Sequence, residues 1–518
     1  MHLSIFSYQT KMNHDLVLFA LTAVFFLAAS IFWYSWVFKN STPPPLPLPP
    51  GPRGLPIVGY LPFMKADLHL QFTELAHKYG PIYRLWLGSK LYIVVTCPSL
   101  IKQVVRDHDT VFANRDPPVA ALVATGGLDI LWAPSGPYWH DMRKLFVREL
   151  LSAGNLLASS WLRREEVAKA VGSLSTMIGQ PVEIGELIFR TESRVILRLI
   201  SGGGKYMGAE IQEAVAKVVD LFGKPNISDF FPGLAKFDVQ GIAREMRDVV
   251  SALEQILDSI IDERIKTMAA DGEGEEEDQR RKDFVGILLE LKDQKIGGNS
   301  LFGPTQIRSI LLDVILGGTD TTTTIAEWVM TELLRNPDVM KKVQRELTDV
   351  VGANNVVEES HLPKLHYLEA AVKETFRLHP PLPHLVPRCP AESCTIGGYT
   401  IPKGSRIFLN MWSVYTDPNV WDTPFEFRPD RFLNNDSGKK FSYIGHNFEY
   451  LPFGSGRRAC PGLPLGEKMV MFLLATLVHS FQWQLPAGRE IDMSAEYGIV
   501  MRKRRPLVAI PYKRDCQM

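Results

Sequence analysis

The sequence predicts a mainly α-helical fold with a minor β-sheet region, preceded by one N-terminal transmembrane helix. Three observations lead there. Leu16 to Phe38 runs for 23 residues without a charge, which is enough to span a bilayer as one helix. Ile82 to Val95 and Cys394 to Asn410 read as short strands broken by glycine, a hairpin and a second strand-rich region. Most of the remaining chain has helical period, and Pro304 to Pro337 brackets its longest candidate helix.

Residues 1–15 form an N-terminal tail and 16–38 the anchor. Trp33, Tyr34 and Trp36 gather at one end of that anchor, as an interfacial belt does, and Lys39 follows. A cleaved signal peptide is the alternative, because AAS resembles a small-residue cleavage site, but the apolar run continues past it. Residues 39–54 contain a proline-dense stretch, STPPPLPLPPGPRG, expected to act as a stiff spacer or hinge. Lys39, Arg53 and Lys65 after the span outnumber Lys11 before it, which directs residues 55–518 to the cytoplasm.

Composition narrows the function of that large domain. The chain has 518 residues, and 57 basic side chains balance 57 acidic ones, so no global charge argues for nucleic acid or a strongly acidic partner. Cys97, Cys389, Cys394, Cys460 and Cys516 are scattered without a CxxC pair, which excludes a disulfide framework and a cysteine-rich zinc site. The run DGEGEEEDQRRKD, residues 271–283, reads as a solvated loop between helices.

Two stretches break local rules. The helix that starts at Pro304 would reach on the order of 45 Å, and GGTDTTTT stands in its middle. Glycine there costs about 1 kcal/mol relative to alanine and threonine adds more. A site, or a simple kink, explains the exception. The second stretch is PFGSGRRACPG, Pro452 to Gly462, directly before the apolar run LPLGEKMVMFLLATLVHSF. It sets Cys460 at or near a helix N-terminus, where N–H groups and the arginines Arg457 and Arg458 favour a thiolate. Such a thiolate is a nucleophile or a metal ligand. No His or Asn stands out as a nucleophile's partner, and the arginines suit an anionic cofactor. Trp139 and Arg143 in GPYWHDMRK share one helix face, and Arg388 follows LPHLVP.

Together these motifs resemble the cytochrome P450 family, haem-thiolate monooxygenases, in its plant microsomal form. FGSGRRACPG is similar to the family's FxxGxRxCxG loop, ETFR (Glu374 to Arg377) to its ExxR helix, and PDRF (Pro429 to Phe432) to its PERF segment, with Asp430 in place of Glu. GGTDTT is similar to the oxygen-activating groove and PPGPRGLPIVG to the proline-rich hinge.

The resemblance implies the P450 fold and haem b, with Cys460 as the axial thiolate on iron. It implies Asp320 and Thr321 as the catalytic acid and alcohol pair. Cofactor contacts would come from Trp139, Arg143, Arg388, Phe453 and Arg458, with a structural lock of Glu374, Arg377 and Arg431. It further implies O2 and an NADPH-dependent reductase as partners, a small lipophilic substrate, and single-pass attachment to the endoplasmic reticulum membrane. The basic residues near the cysteine loop, with Arg143, Lys144 and Arg148, are candidates for the reductase's docking face.

Pocket segments by resemblance are Val119 to Trp132, the helix face around Asp313 and Leu316, Leu382 to Pro387 and Tyr497 to Val500. They are mostly apolar, and the likeness to plant sesquiterpene hydroxylases points to hydroxylation of a terpenoid. The alternative is an aromatic hydroxylase of flavonoids or related phenolics, with His384 and Tyr497 as possible anchors for a phenol. A haem isomerase or dehydratase, or a haem carrier, gives no reason for GGTDTT.

Overall fold

Apolar side chains alternating about the Gly88-Ser89 turn build the expected hairpin. In the computed structural model, β1 (Ile82–Leu87) and β2 (Lys90–Val95) pair antiparallel, Ile82 opposite Val95 and Leu87 opposite Lys90. The structure describes residues 46–202, 209–270, 283–292, 303–433 and 441–514, with Val17, Phe19, Leu21, Thr22, Val24, Phe25 and Ala28. The other strands are short: β3 (Val182–Glu183), β4 (Cys394–Ile396), β5 (Tyr399–Ile401), β6 (Arg406–Leu409), β7 (Phe481–Gln484), β8 (Ala495–Glu496), β9 (Arg502–Lys503) and β10 (Val508–Lys513). β6 lies parallel to β2, and β10 pairs antiparallel with β7 and β3. The strand-rich region at 394–410 thus splits into a β4–β5 hairpin and a third strand for the first sheet.

Helices dominate, and eight carry the argument: α1 (Leu68–Tyr79), α2 (Val119–Thr125), α3 (Pro137–Glu149), α4 (Ile184–Ser201), α5 (Ile242–Ala270), α6 (Pro304–Arg335), α7 (His366–Leu378) and α8 (Leu463–Ser480). α6 starts where Pro304 follows Gly303, whose N–H donates to Gln306 Oε1 at 2.9 Å, and it ends before Asn336-Pro337. It packs on α4, α8, α7, α5 and α2, and so forms the axis of the domain.

The GGTDTTTT segment stays helical throughout. Thr319, Thr321 and Thr323 each donate a hydroxyl to the carbonyl one turn back, at 2.8 Å, which removes the need for outside partners. The two glycines have separate jobs. A Cβ on Gly318 would stand 2.6 Å from Ile196 Cδ1, so this glycine lets α4 and α6 close. A Cβ on Gly317 would meet nothing within 4 Å, so that one borders open space.

The ETFR motif closes into a buried network at the end of α7. Arg377 donates to both oxygens of Glu374 at 2.8 Å, Arg431 Nε donates to Glu374 Oε1 at 2.9 Å, and the Arg428 N–H joins at 3.0 Å. Arg377 also donates to the carbonyls of Tyr415 and Pro424. The exposed pair that spacing alone gives would contribute about 0.2–0.5 kcal/mol. Here neither Glu374 nor Arg377 has any solvent-exposed side chain, and loss of one partner would strand a buried charge.

The expected anchor, 16–38, lies largely outside the described residues. Those described from it are helical, and Val17, Phe19, Leu21, Val24 and Phe25 are exposed. Among the described residues, one helix is long and apolar enough to cross a membrane, α8, and it is mostly buried in the fold. The proline segment is docked where it is described: Thr400 N–H donates to Pro47 O and Arg84 N–H to Pro50 O. Of the 271–283 run only Asp283 is described, buried against Arg264 at 2.8 Å.

Candidate active site

The cysteine loop is a tight turn built on glycine. Gly454 and Gly456 both have φ of 69°, and a Cβ on Gly456 would lie 2.4 Å from Val105 O and from Asp109 Oδ1. The loop brings the Cys460 N–H to Phe453 O at 2.9 Å and ends at α8, with Pro464 in its first turn. Phe453 itself packs edge-on against Tyr443 and beside Phe376.

Cys460 is exposed to a water-sized probe, yet its surroundings desolvate it. The two facts agree if the thiol faces a cavity inside the protein. Burial pushes its pKa up, opposed by the Gly462 N–H, by Arg143 and by the Leu463 N–H. The two N–H groups at the start of α8 and Arg143 act on the sulfur in the direction the helix-end reading expects. A bound metal ion reverses this balance by ligating the deprotonated sulfur.

The arginines also divide differently from expectation. Arg457 turns outward, its side chain 46% exposed and its N–H on Asp109. Arg458 turns inward and donates to the carbonyls of Ala113, Ile130 and Ala133, with its guanidinium 4.0 Å above the Trp139 ring. Trp139, on α3, donates its indole N–H to Ile130 O at 2.9 Å. Arg143, one turn later, donates to Ala459 O at 2.7 Å. Arg388 donates to Asp109 at 3.2 Å and to Ser455 O. The structure thus brings Trp139, Arg143, Arg388, Phe453, Arg458 and Cys460 together.

Arg115 joins this cluster and was missed by the motif reading. It is buried and donates to the carbonyls of Leu131, Val386 and Pro387. An isolated Arg in FANRDP has no spacing signal that distinguishes it from a turn residue. Burial, then Arg458, Arg388 and Arg143, holds the Arg115 pKa well below the usual guanidinium range. Arg458 falls to about 9 by burial and repulsion from Arg388 and Arg143. Asp109 and Asp129 are the acidic neighbours of these four cations. The cluster is therefore short of negative charge, and its guanidinium forks suit carboxylates. This donor set fits haem: Arg115, Arg143, Arg388 and Arg458 would hold its two carboxylates, and Cys460 would supply its thiolate.

On α6, Asp320 and Thr321 are adjacent but face different partners. Asp320 is buried and forms an ion pair with Arg502 of β9 at 2.7 Å. Burial raises its pKa, and Arg502 opposes that. Arg502 lies in the run MRKRRP, which reads locally as a solvated charge cluster, so sequence gave no hint of the pairing. Thr321 Oγ1 is bonded to Gly317 O.

His384 and Tyr497, the possible anchors for a phenol, are partners of each other through one ring nitrogen. His384 Nδ1 and Tyr497 OH bond each other at 2.9 Å, and the His384 ring is buried beside Phe72 and Phe408. Burial lowers the His384 pKa to about 3 and keeps the ring neutral.

Comparison with known proteins agrees with this geometry. The model of the Cytochrome P450 family matches residues 49–510. A flavonoid 3'-monooxygenase of Crocosmia x crocosmiiflora is 37% identical over 482 residues, covering 90% of this chain and 93% of that protein. Cytochrome P450 76C1 of Arabidopsis thaliana is 36% identical over 480 residues, covering 90% and 92%. Carnosic acid synthase of Salvia pomifera is 35% identical over 482 residues, covering 90% and 94%. A zebra fish cytochrome P450 solved with progesterone superposes with a TM-score of 0.74 at 25% identity, over 86% of this chain and 99% of that one. The chain belongs to the cytochrome P450 family and is a haem-thiolate monooxygenase that draws its electrons from an NADPH-dependent reductase.

Proposed function

We propose that this monooxygenase hydroxylates the aromatic ring of a flavonoid-like phenolic. The observation that carries the choice is the kinship with flavonoid hydroxylases at 35–37% identity over nine-tenths or more of the chain. That kinship favours the aromatic alternative over the terpenoid expectation. In this reading Cys460 would supply the thiolate that holds haem, and the four inward arginines with Trp139 would seat it. Residues 16–38 anchor the chain in the endoplasmic reticulum membrane, with residues 55–518 on the cytoplasmic side.

Bound haem supplies O2 activation and insertion of one oxygen atom into the substrate. The residues around it manage protons and space. Thr321 Oγ1 can swing its hydrogen from Gly317 O toward the cavity, and its lone pairs can accept one in return. Asp320 gives up its pairing with Arg502 to carry a proton inward. Arg502, with a side chain 36% exposed, links this carboxylate to the solvent side. Gly317 keeps the helix backbone open beside the reacting position.

The test is product analysis in membranes carrying the chain and a plant reductase, offered flavonoids and sesquiterpene hydrocarbons of similar size. A hydroxylated flavonoid ring supports the reading. Exclusive oxidation of the hydrocarbon overturns it and restores the terpenoid assignment.

A further inference from the structure

One carboxylate ties the cysteine loop to an arginine of the cofactor cluster. Asp109 follows the helical turn Gln103–Asp107, which packs on the turn Gly456–Arg458 of the cysteine loop. Glycine at 456 is what lets the acid come so close, because a Cβ there would lie 2.4 Å from Asp109 Oδ1.

The carboxylate accepts from two sides. On the loop side the Arg457 N–H donates to Oδ2 at 3.0 Å and to Oδ1 at 3.2 Å. On the other side Arg388 Nη1 donates to Oδ1 at 3.2 Å, while its Nη2 donates to Ser455 O. Both ends of the Arg388 fork are therefore fixed, one to the cysteine loop and one to the acid that braces it. Arg388 is buried and Asp109 is only 17% exposed, so water screens these charge-assisted bonds less than it does a surface pair.

The same short stretch carries further contacts of the cluster. Ala113 O accepts from Arg458, Asn114 O accepts the Cys389 N–H, and Arg115 donates to the carbonyls of Val386 and Pro387. Residues 109–115 thus run between the cysteine loop and the segment that carries Arg388. Asp109 supplies the carboxylate of that stretch, and a carboxylate orients a guanidinium by charge as well as by hydrogen bonding. Without it, Arg388 would keep Ser455 O as its side-chain partner among the described residues, and the Arg457 N–H would lose its acceptor.

We infer that Asp109 is a positioning residue: by gathering Arg388 and the Arg457 N–H on one carboxylate, it sets the spacing between the guanidinium that would take a haem carboxylate and the loop that presents the Cys460 sulfur. The inference rests on Arg388 and Cys460 as haem contacts and is independent of the substrate the enzyme takes. Spacing fixed in advance removes an ordering cost from cofactor binding. Its loss is therefore read in how long haem is held and how well the thiolate is kept.

The experiment follows haem release from the loaded protein to a haem-scavenging protein, and the decay of the red-shifted carbon-monoxide band after reduction. Asp109→Ala removes both bonds and should quicken haem release about tenfold, the worth of one charge-assisted hydrogen bond. In an Arg388→Leu background the same change should not quicken it, because no guanidinium is left to orient. The band should collapse several-fold faster in Asp109→Ala. Asp109→Asn keeps the Oδ1 that serves both donors, so it should stay within about threefold of the parent in both readouts. Asp109→Ser, too short to span both partners, replaces the alanine form if that one does not accumulate folded.

Unchanged haem release in Asp109→Ala and Asp109→Ser would overturn the inference. So would a quickening of the same size in the Arg388→Leu background, which would make Asp109 an ordinary brace of the fold. A parent without the red-shifted band overturns Cys460 as the ligand instead, and the release comparison still decides the part played by Asp109.

Discussion

Two of the regions that bury arginines are resolved in opposite ways. At the end of α7, Arg377 and Arg431 converge on Glu374, and backbone carbonyls take the remaining donors of Arg377. Around the cysteine loop, Arg115, Arg143, Arg388 and Arg458 repel one another, with Asp109 and Asp129 as the near acids. The first region satisfies itself and serves the fold. The second reserves positive charge for a partner that the polypeptide does not supply.

Removing the ligand atom gives the largest effect. Cys460→Ser should abolish the red-shifted carbon-monoxide band of the reduced protein and all hydroxylation, while apo-protein stability changes by less than about 1 kcal/mol. A retained band would show that another residue ligates the iron. Breaking the self-satisfied region should instead unfold the protein. Glu374→Ala leaves two buried guanidiniums unpaired and should cost about 3–5 kcal/mol, read in urea unfolding of the apo-protein. A loss below about 1 kcal/mol would remove the distinction drawn between the regions.

The sharpest contrast is the smallest effect. Arg143 makes one carbonyl bond in the protein, so Arg143→Leu should leave apo stability level or slightly higher. Haem release should quicken by about tenfold, the worth of one charge-assisted hydrogen bond. Unfolding of the apo variant at lower urea, with haem release unchanged, would mean that this arginine serves the fold after all.

The same contrast explains what was legible in the sequence. Glu374, Arg377, Trp139, Arg143 and Cys460 sit in motifs whose spacing survives folding unchanged, because each lies within one helix or one tight loop. The strands were legible where alternation and glycine turns coincide, at β1–β2 and β4–β5. Arg115 and Arg502 were not, since their partners lie far along the chain: Arg502 meets Asp320 across 182 positions. The desolvation of Cys460 was not legible for a related reason. A helix end and two arginines are local facts, whereas desolvation is set by the whole fold. Nothing in their own segments shows that His384 Nδ1 and the Tyr497 hydroxyl meet, 113 positions apart.

The adjacent glycines of α6 carry a consequence for how this helix can vary. A side chain at position 318 would meet the end of Ile196, which must shift to admit it. Position 317 has no atom within 4 Å of where a Cβ would stand, so a methyl group there fits without disturbing the packing behind it. Descendants of this protein can thus add a carbon at 317 with no second change, whereas one at 318 also requires Ile196 to move.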